Sequence, residues 1–152
     1  GSNGRLFRYG PSSGNDYNFD IFQSSTRHHA GIRTSDTSAS PSAVASETGS
    51  AAGIRHHLLI TFKEETLRIF RDGTLINEQP HTGHLLTWDA TYGLTLGNLP
   101  SGAAPWRGTI DRVAIYDRAM NSRQANNLFE NLPPGDGGSA SNGLKVRWIE
   151  NQ

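Results

Sequence analysis

Apolar residues fall on alternate positions in five short segments of this chain. Tyr17, Phe19 and Ile21 alternate with Asn18, Asp20 and Phe22, and Leu58, Ile60 and Phe62 alternate with His57, Leu59 and Thr61. Leu94 and Leu96 alternate with Gly93, Thr95 and Gly97, and Val113 and Ile115 with Arg112 and Ala114. Near the C-terminus Leu144, Val146 and Trp148 alternate with Lys145 and Arg147. Successive side chains of a strand point to opposite faces, so each segment predicts a strand with one face in a core and one toward solvent. Asp72-Gly73 separates two further apolar stretches, 67–70 and 74–76, and predicts a tight hairpin, because glycine readily takes the positive φ such a turn needs. Short strands joined by turns predict a sandwich or barrel.

Only one segment carries helical spacing. Ala125, Leu128, Phe129 and Leu132 share a face, Asn121 and Gln124 form a capping-box pattern, and Pro133-Pro134 stops the run. Residues 35–53 are rich in Ser, Ala, Thr and Gly and keep no period, which predicts a long surface loop. Residues 133–143 read as a flexible linker. The expected division is a sandwich over 1–132, that linker, and a C-terminal strand over 144–152 packed on the same domain.

Composition narrows the partners. The chain has 152 residues, with 14 basic and 14 acidic side chains, and no sustained basic stripe, which argues against nucleic acid or an anionic membrane. It has no cysteine, so disulfides and thiolate metal sites are excluded. No apolar run approaches the ~20 residues that span a bilayer. The hydrophobic fraction is 34% with 17 glycines, which suits thin sheets joined by polar loops and warns of a small core.

Residues 106–120, WRGTIDRVAIYDRAM, resemble the closing signature of laminin-G-like, concanavalin-A-like domains, in which such a strand leads into a short helix. The hairpin at Asp72-Gly73, the stretch 17–23 followed by 31–34, and the segment 84–98 with Trp88-Asp89 and Leu94-x-Leu96-x-Asn98 are similar to three other segments of these domains, in the same order. The matches span about 5–132 and are nearest to a bacterial laminin-G-like subgroup. The resemblance implies an all-β, antiparallel jelly-roll β-sandwich with one short helix near the C-terminus, in an extracellular, periplasmic or cell-surface setting. It also implies strands ahead of 5–10 that this sequence does not contain. The expectation is that another segment or chain supplies them, or that 144–149 replaces one.

Candidate chemistry follows from the resemblance and from residue type. Relatives hold Ca²⁺ near one rim through Asp, Asn and carbonyl oxygens, which makes Asn15, Asp16 and Asp20 the candidate metal ligands. The competing reading makes these residues turn formers. The pairs His28-His29 and His56-His57 cannot each chelate one ion from within a strand, although one His from each could share a face. Trp88 and Tyr92 as a platform, with Asp89, Asn98 and Arg107 as polar partners, form the candidate glycan site. Glu64-Glu65 are adjacent in a turn and cannot straddle a glycosidic bond, and no nucleophile elbow or phosphate loop is present, so no catalysis is expected. The expected role is a recognition or adhesion module that favours carbohydrate. The alternative is an assembly module of a bacterial surface protein, self-associating or completed by a strand from elsewhere.

Overall fold

The structure, a computed structural model, describes residues 4–42, 44–45 and 54–132. The expected linker at 133–143 and the strand at 144–152 lie outside the described residues. Two antiparallel sheets face each other. The larger has the order β4-β3-β2-β1-β8, from β1 (Gly4–Gly10), β2 (Phe19–Ser24), β3 (Arg27–Ile32), β4 (Val44–Ala45) and β8 (Gly93–Leu96). The smaller has the order β5-β6-β7, from β5 (Leu58–Lys63), β6 (Thr66–Arg71) and β7 (Thr74–Pro80). The helix α1 (Ser122–Glu130) follows. This is the β-sandwich with one short helix that the pattern predicts, consistent with a jelly roll.

Two-residue turns set the registers. Asp72 and Gly73 have φ of 51° and 77°, and Glu64 and Glu65 have 51° and 55°. Positive φ at both central residues matches the twist of the flanking strands. Asp-Gly takes it at little steric cost, whereas Glu-Glu is held there by the β5–β6 ladder on either side. The expected long loop is partly organised as well, because Val44 and Ala45 pair with Ala30 and His29 and cover the edge of β3.

The inter-sheet core joins Phe7, Phe19, Ala30 and Ile32 of the larger sheet to Leu67 and Ile69 of the smaller. A second cluster, Leu59, Phe70, Met120 and Ala125, lies on the other face of the smaller sheet, beneath α1. Hence β5 is covered on both faces. Leu59 and Thr61, expected toward solvent, are buried. The capping box is formed as predicted: the Gln124 backbone N–H donates to Asn121 Oδ1 at 2.9 Å, and the Asn121 backbone N–H donates to Gln124 Oε1 at 3.0 Å.

The strand expected around Val113 and Ile115 is different. Residues 103–120 join no ladder among the described residues. Val113 and Ile115 still pack on the inter-sheet core, and Tyr116 on the cluster beneath α1. The alternation is therefore real, but among the described residues it is expressed in a segment that belongs to no ladder.

Candidate functional site

Asp20, a candidate metal ligand, is buried on the outer face of the larger sheet, where alternation predicted solvent. Its Oδ2 lies 3.1 Å from Arg5 Nε and 3.0 Å from Arg8 Nη1. Residues three apart on a strand normally face opposite ways. Here the register slips between Arg5 and Phe7, so Arg5 pairs with Phe22 while Phe7 pairs with Ile21, and this bulge turns both guanidiniums to one face. Burial raises the Asp20 carboxyl above its ordinary pKa, against the pull of both arginines. Two adjacent cations and a buried position make Asp20 a strut between β1 and β2. Asp16 accepts a bond from Ser40 through Oδ1 and from Arg8 through its backbone carbonyl, and Asn15 is exposed in the turn. Among the described residues, no three acidic or histidine side chains gather as metal ligands.

Tyr17 completes this face, whereas the alternation placed it on the same side as Phe19, which points into the core. Its hydroxyl donates to the Pro41 carbonyl, and its ring lies under the Arg8 guanidinium at 5.2 Å. Gly31 makes room, since a Cβ there would collide with the Tyr17 hydroxyl. Burial pushes the phenol up to about 12. Beside it the Arg5 guanidinium sits 4.1 Å over Phe22, which stacks on His29 at 4.7 Å.

Trp88, Asp89 and Tyr92 are brought together in one loop around Tyr9, and each is engaged internally. The Trp88 indole N–H donates to the Arg33 carbonyl at 2.8 Å, and its ring packs against Phe19 and Tyr9. Asp89 Oδ1 accepts from the Thr91 backbone and hydroxyl, which holds its carboxyl below its ordinary pKa. The fully buried Asn18, missed by the sequence reading, pins the loop by exchanging two bonds with the Asp89 backbone. Tyr92 meets Tyr9 edge-on at 6.5 Å. Asn98 belongs to a separate loop, where its Oδ1 accepts from the Leu99 and Ala104 backbones. Arg107 is exposed next to Trp106.

What remains open lies beside β8. This strand pairs with β1 alone, so its other edge has no ladder among the described residues. Leu94 and Leu96 pair with Tyr9 and Phe7 and share their core-facing side, yet Leu94 is 38% exposed. A groove of about 290 Å³ runs alongside, lined by Leu96, Gly97, Trp106, Gly108 and Ile110. The Trp106 backbone N–H donates to the Gly97 carbonyl at 2.7 Å and ties one end of the groove to β8. The Trp106 indole N–H is buried and has no hydrogen-bond partner among the described residues.

Among the described residues, the histidines do not gather into a group of three or more metal-ligating side chains. His28 meets His56 edge-on at 6.3 Å, and His56 Nδ1 lies 2.8 Å from Asp72 Oδ2. His57 stacks on Phe129, His81 Nε2 bonds the Ile32 carbonyl oxygen, and His84 is exposed.

A laminin-G family profile, described as the concanavalin A-like lectin/glucanases superfamily, matches residues 1–126. The chain belongs to this superfamily. No curated protein matches the chain. Among solved structures, an S-layer domain-containing protein (residues 221–444) from Clostridium thermocellum ATCC 27405 is similar, with 18% identity and a TM-score of 0.46. The similarity covers 84% of this chain and spans 63% of that one. Lectins and glucanases share the superfamily's name, so membership fixes the sandwich and leaves the activity to the site.

Proposed function

We propose that this superfamily member is a non-catalytic structural module of an extracellular or cell-surface bacterial protein, completed by a β-strand from another segment or another chain. The observation that carries the reading is the uncovered side of the sandwich. There, the core-facing Leu94 is 38% exposed and, among the described residues, the outer edge of β8 has no ladder and residues 103–120 join none. Unpaired strand edges are templates for strand addition: backbone bonds supply affinity, and a groove receives alternate side chains. The groove by Trp106 and Ile110 suits the apolar face of such a strand. Carbohydrate binding draws less support, because Trp88, Asp89 and Asn98 spend their polar groups on the fold.

Hydrogen exchange at the β8 amides and at 107–118, run with light scattering over a wide concentration range, tests this. Protection that rises with concentration indicates a strand from a second chain. Protection in a monomer at every concentration indicates a strand in cis. A monomer whose β8 edge and 107–118 amides exchange freely, and which binds no strand-forming peptide of alternating Val and Thr, would sink the proposal.

A further inference from the structure

Among the described residues β7 and β8 each pair with a single neighbour, and only β7 is guarded. It carries Glu78 and Pro80, and its register with β6 shifts between Ile69 and Phe70. Charge, proline and bulges are the devices that keep sheet edges from pairing with other chains. β8 reads Gly93-Leu94-Thr95-Leu96, with no charge, no proline and an unbroken register on β1.

The ladder also fixes what β8 presents at its outer edge. The Gly97 N–H donates to the Leu6 carbonyl at 3.0 Å, while Leu96 pairs with Phe7. Opposed residues of an antiparallel pair alternate between bonded and unbonded. Gly93 and Thr95 therefore turn their N–H and C=O groups toward β1, and Leu94 and Leu96 turn theirs outward. On the core-facing side Leu96 packs beside the groove, and Leu94 stands exposed.

We propose that the partner of this edge is a second copy of the chain, with β8 pairing antiparallel to β8 about a twofold axis at Thr95. The inference rests on the strand-completion reading and names the donor. With Thr95 opposite its own copy, Leu94 of each chain lies opposite Leu96 of the other, and each such pair exchanges both of its backbone bonds. The exposed Leu94 of one chain then reaches the groove that Leu96, Gly97, Trp106, Gly108 and Ile110 line in the other. The twofold repeats this contact, so one surface supplies both the protruding side chain and its receptacle. Charge does not oppose the union: 14 basic and 14 acidic side chains balance, and β8 carries neither. The larger sheets of the two copies become one continuous sheet.

Single cysteines read this register, because the chain has no other thiol. At the axis the two Thr95 residues form an unbonded pair with Cα atoms ~4.5 Å apart, within disulfide reach. The two Gly93 residues would lie ~14 Å apart, beyond it. A Cβ at Gly93 meets no atom within 4 Å, so the fold accepts Gly93→Cys. Under mild oxidation Thr95→Cys should form a disulfide dimer at least about tenfold faster than Gly93→Cys. Sedimentation of the unaltered chain should show a monomer–dimer equilibrium, with the Leu94 and Leu96 amides protected from exchange in the dimer. Dimers in which Gly93→Cys cross-links as fast as Thr95→Cys overturn the twofold register and leave completion by another chain standing. A monomer at every concentration with those amides protected overturns the second copy and points to a strand in cis. A monomer in which they exchange freely overturns both.

Discussion

The side of the sandwich under β6 and the side along β8 use the same kinds of residue and bury them to different degrees. Under β6, Leu67, Ile69 and Phe70 are at most 1% exposed, because the larger sheet lies on one side and α1 on the other. Along β8, Leu96, Trp106, Ile110, Val113 and Ile115 are only half-buried, and Leu94 is 38% exposed. Hydrophobicity is comparable on the two sides. What differs is whether a hydrogen-bonded neighbour lies beside the strand and a covering layer above it. An apolar stripe becomes a core only when another element closes over it, and on the β8 side the described residues supply only a segment that joins no ladder.

Truncation should expose that difference most sharply. Phe70→Ala removes a fully buried ring from between the smaller sheet and α1, at an expected cost of about 3–5 kcal/mol in urea denaturation. Ile110→Ala, on the wall of the groove, should cost about 1 kcal/mol or less, since water already reaches that side chain. Equal losses at the two positions would break the distinction and mean that the β8 side is closed in solution.

Asp20 ranks next. Asp20→Ala leaves Arg8, itself 4% exposed, without its carboxylate, and should cost about 3 kcal/mol. A loss below about 1 kcal/mol by chemical denaturation would show that water enters this face and that the triad is weakly buried. The position also marks where sequence reading reached its limit. Local signals were legible: Asp72-Gly73 and the Asn121–Gln124 box each formed as their own chemistry dictates. Asp20 was not, because period-2 alternation sends every second residue to solvent and has no place for a polar residue buried by a strand bulge and the fold of Tyr17. The pattern at 113–115 named the core-facing side chains correctly but could not show whether a neighbouring strand pairs with them, which depends on distant chain. The candidate site was the least legible. Trp88, Asp89 and Asn98 carry the functional groups of a sugar site, and only the fold shows those groups bonded to backbone.

Loss of the helix cap is smaller again. Asn121→Ala removes the side-chain acceptor for the Gln124 N–H and should cost about 1 kcal/mol. Because Ala125 and Met120 meet Leu59 and Phe70, the change should loosen the covered face of the smaller sheet and leave β8 exchange unaltered. Faster exchange at β8 would mean that the two sides unfold as one cooperative unit, which would weaken the contrast drawn between them.

The smallest expected effect on the fold tests the idea most directly. Leu94→Thr replaces a core-facing but 38% exposed leucine with a β-branched polar residue suited to a strand. In the isolated domain it should cost about 1 kcal/mol or less, because threonine keeps part of the contact and β8 keeps its ladder with β1. In a completed domain the exposed 38% of the same leucine would be covered by the incoming strand, so Leu94→Thr should weaken self-association or peptide binding about threefold, roughly 0.5–1 kcal/mol. A stability loss as large as that of Phe70→Ala, in a chain that stays monomeric, would place Leu94 inside a core that is already closed and remove the need for a donated strand. A near-neutral fold with impaired association would assign the exposed leucine to the partner rather than to the domain.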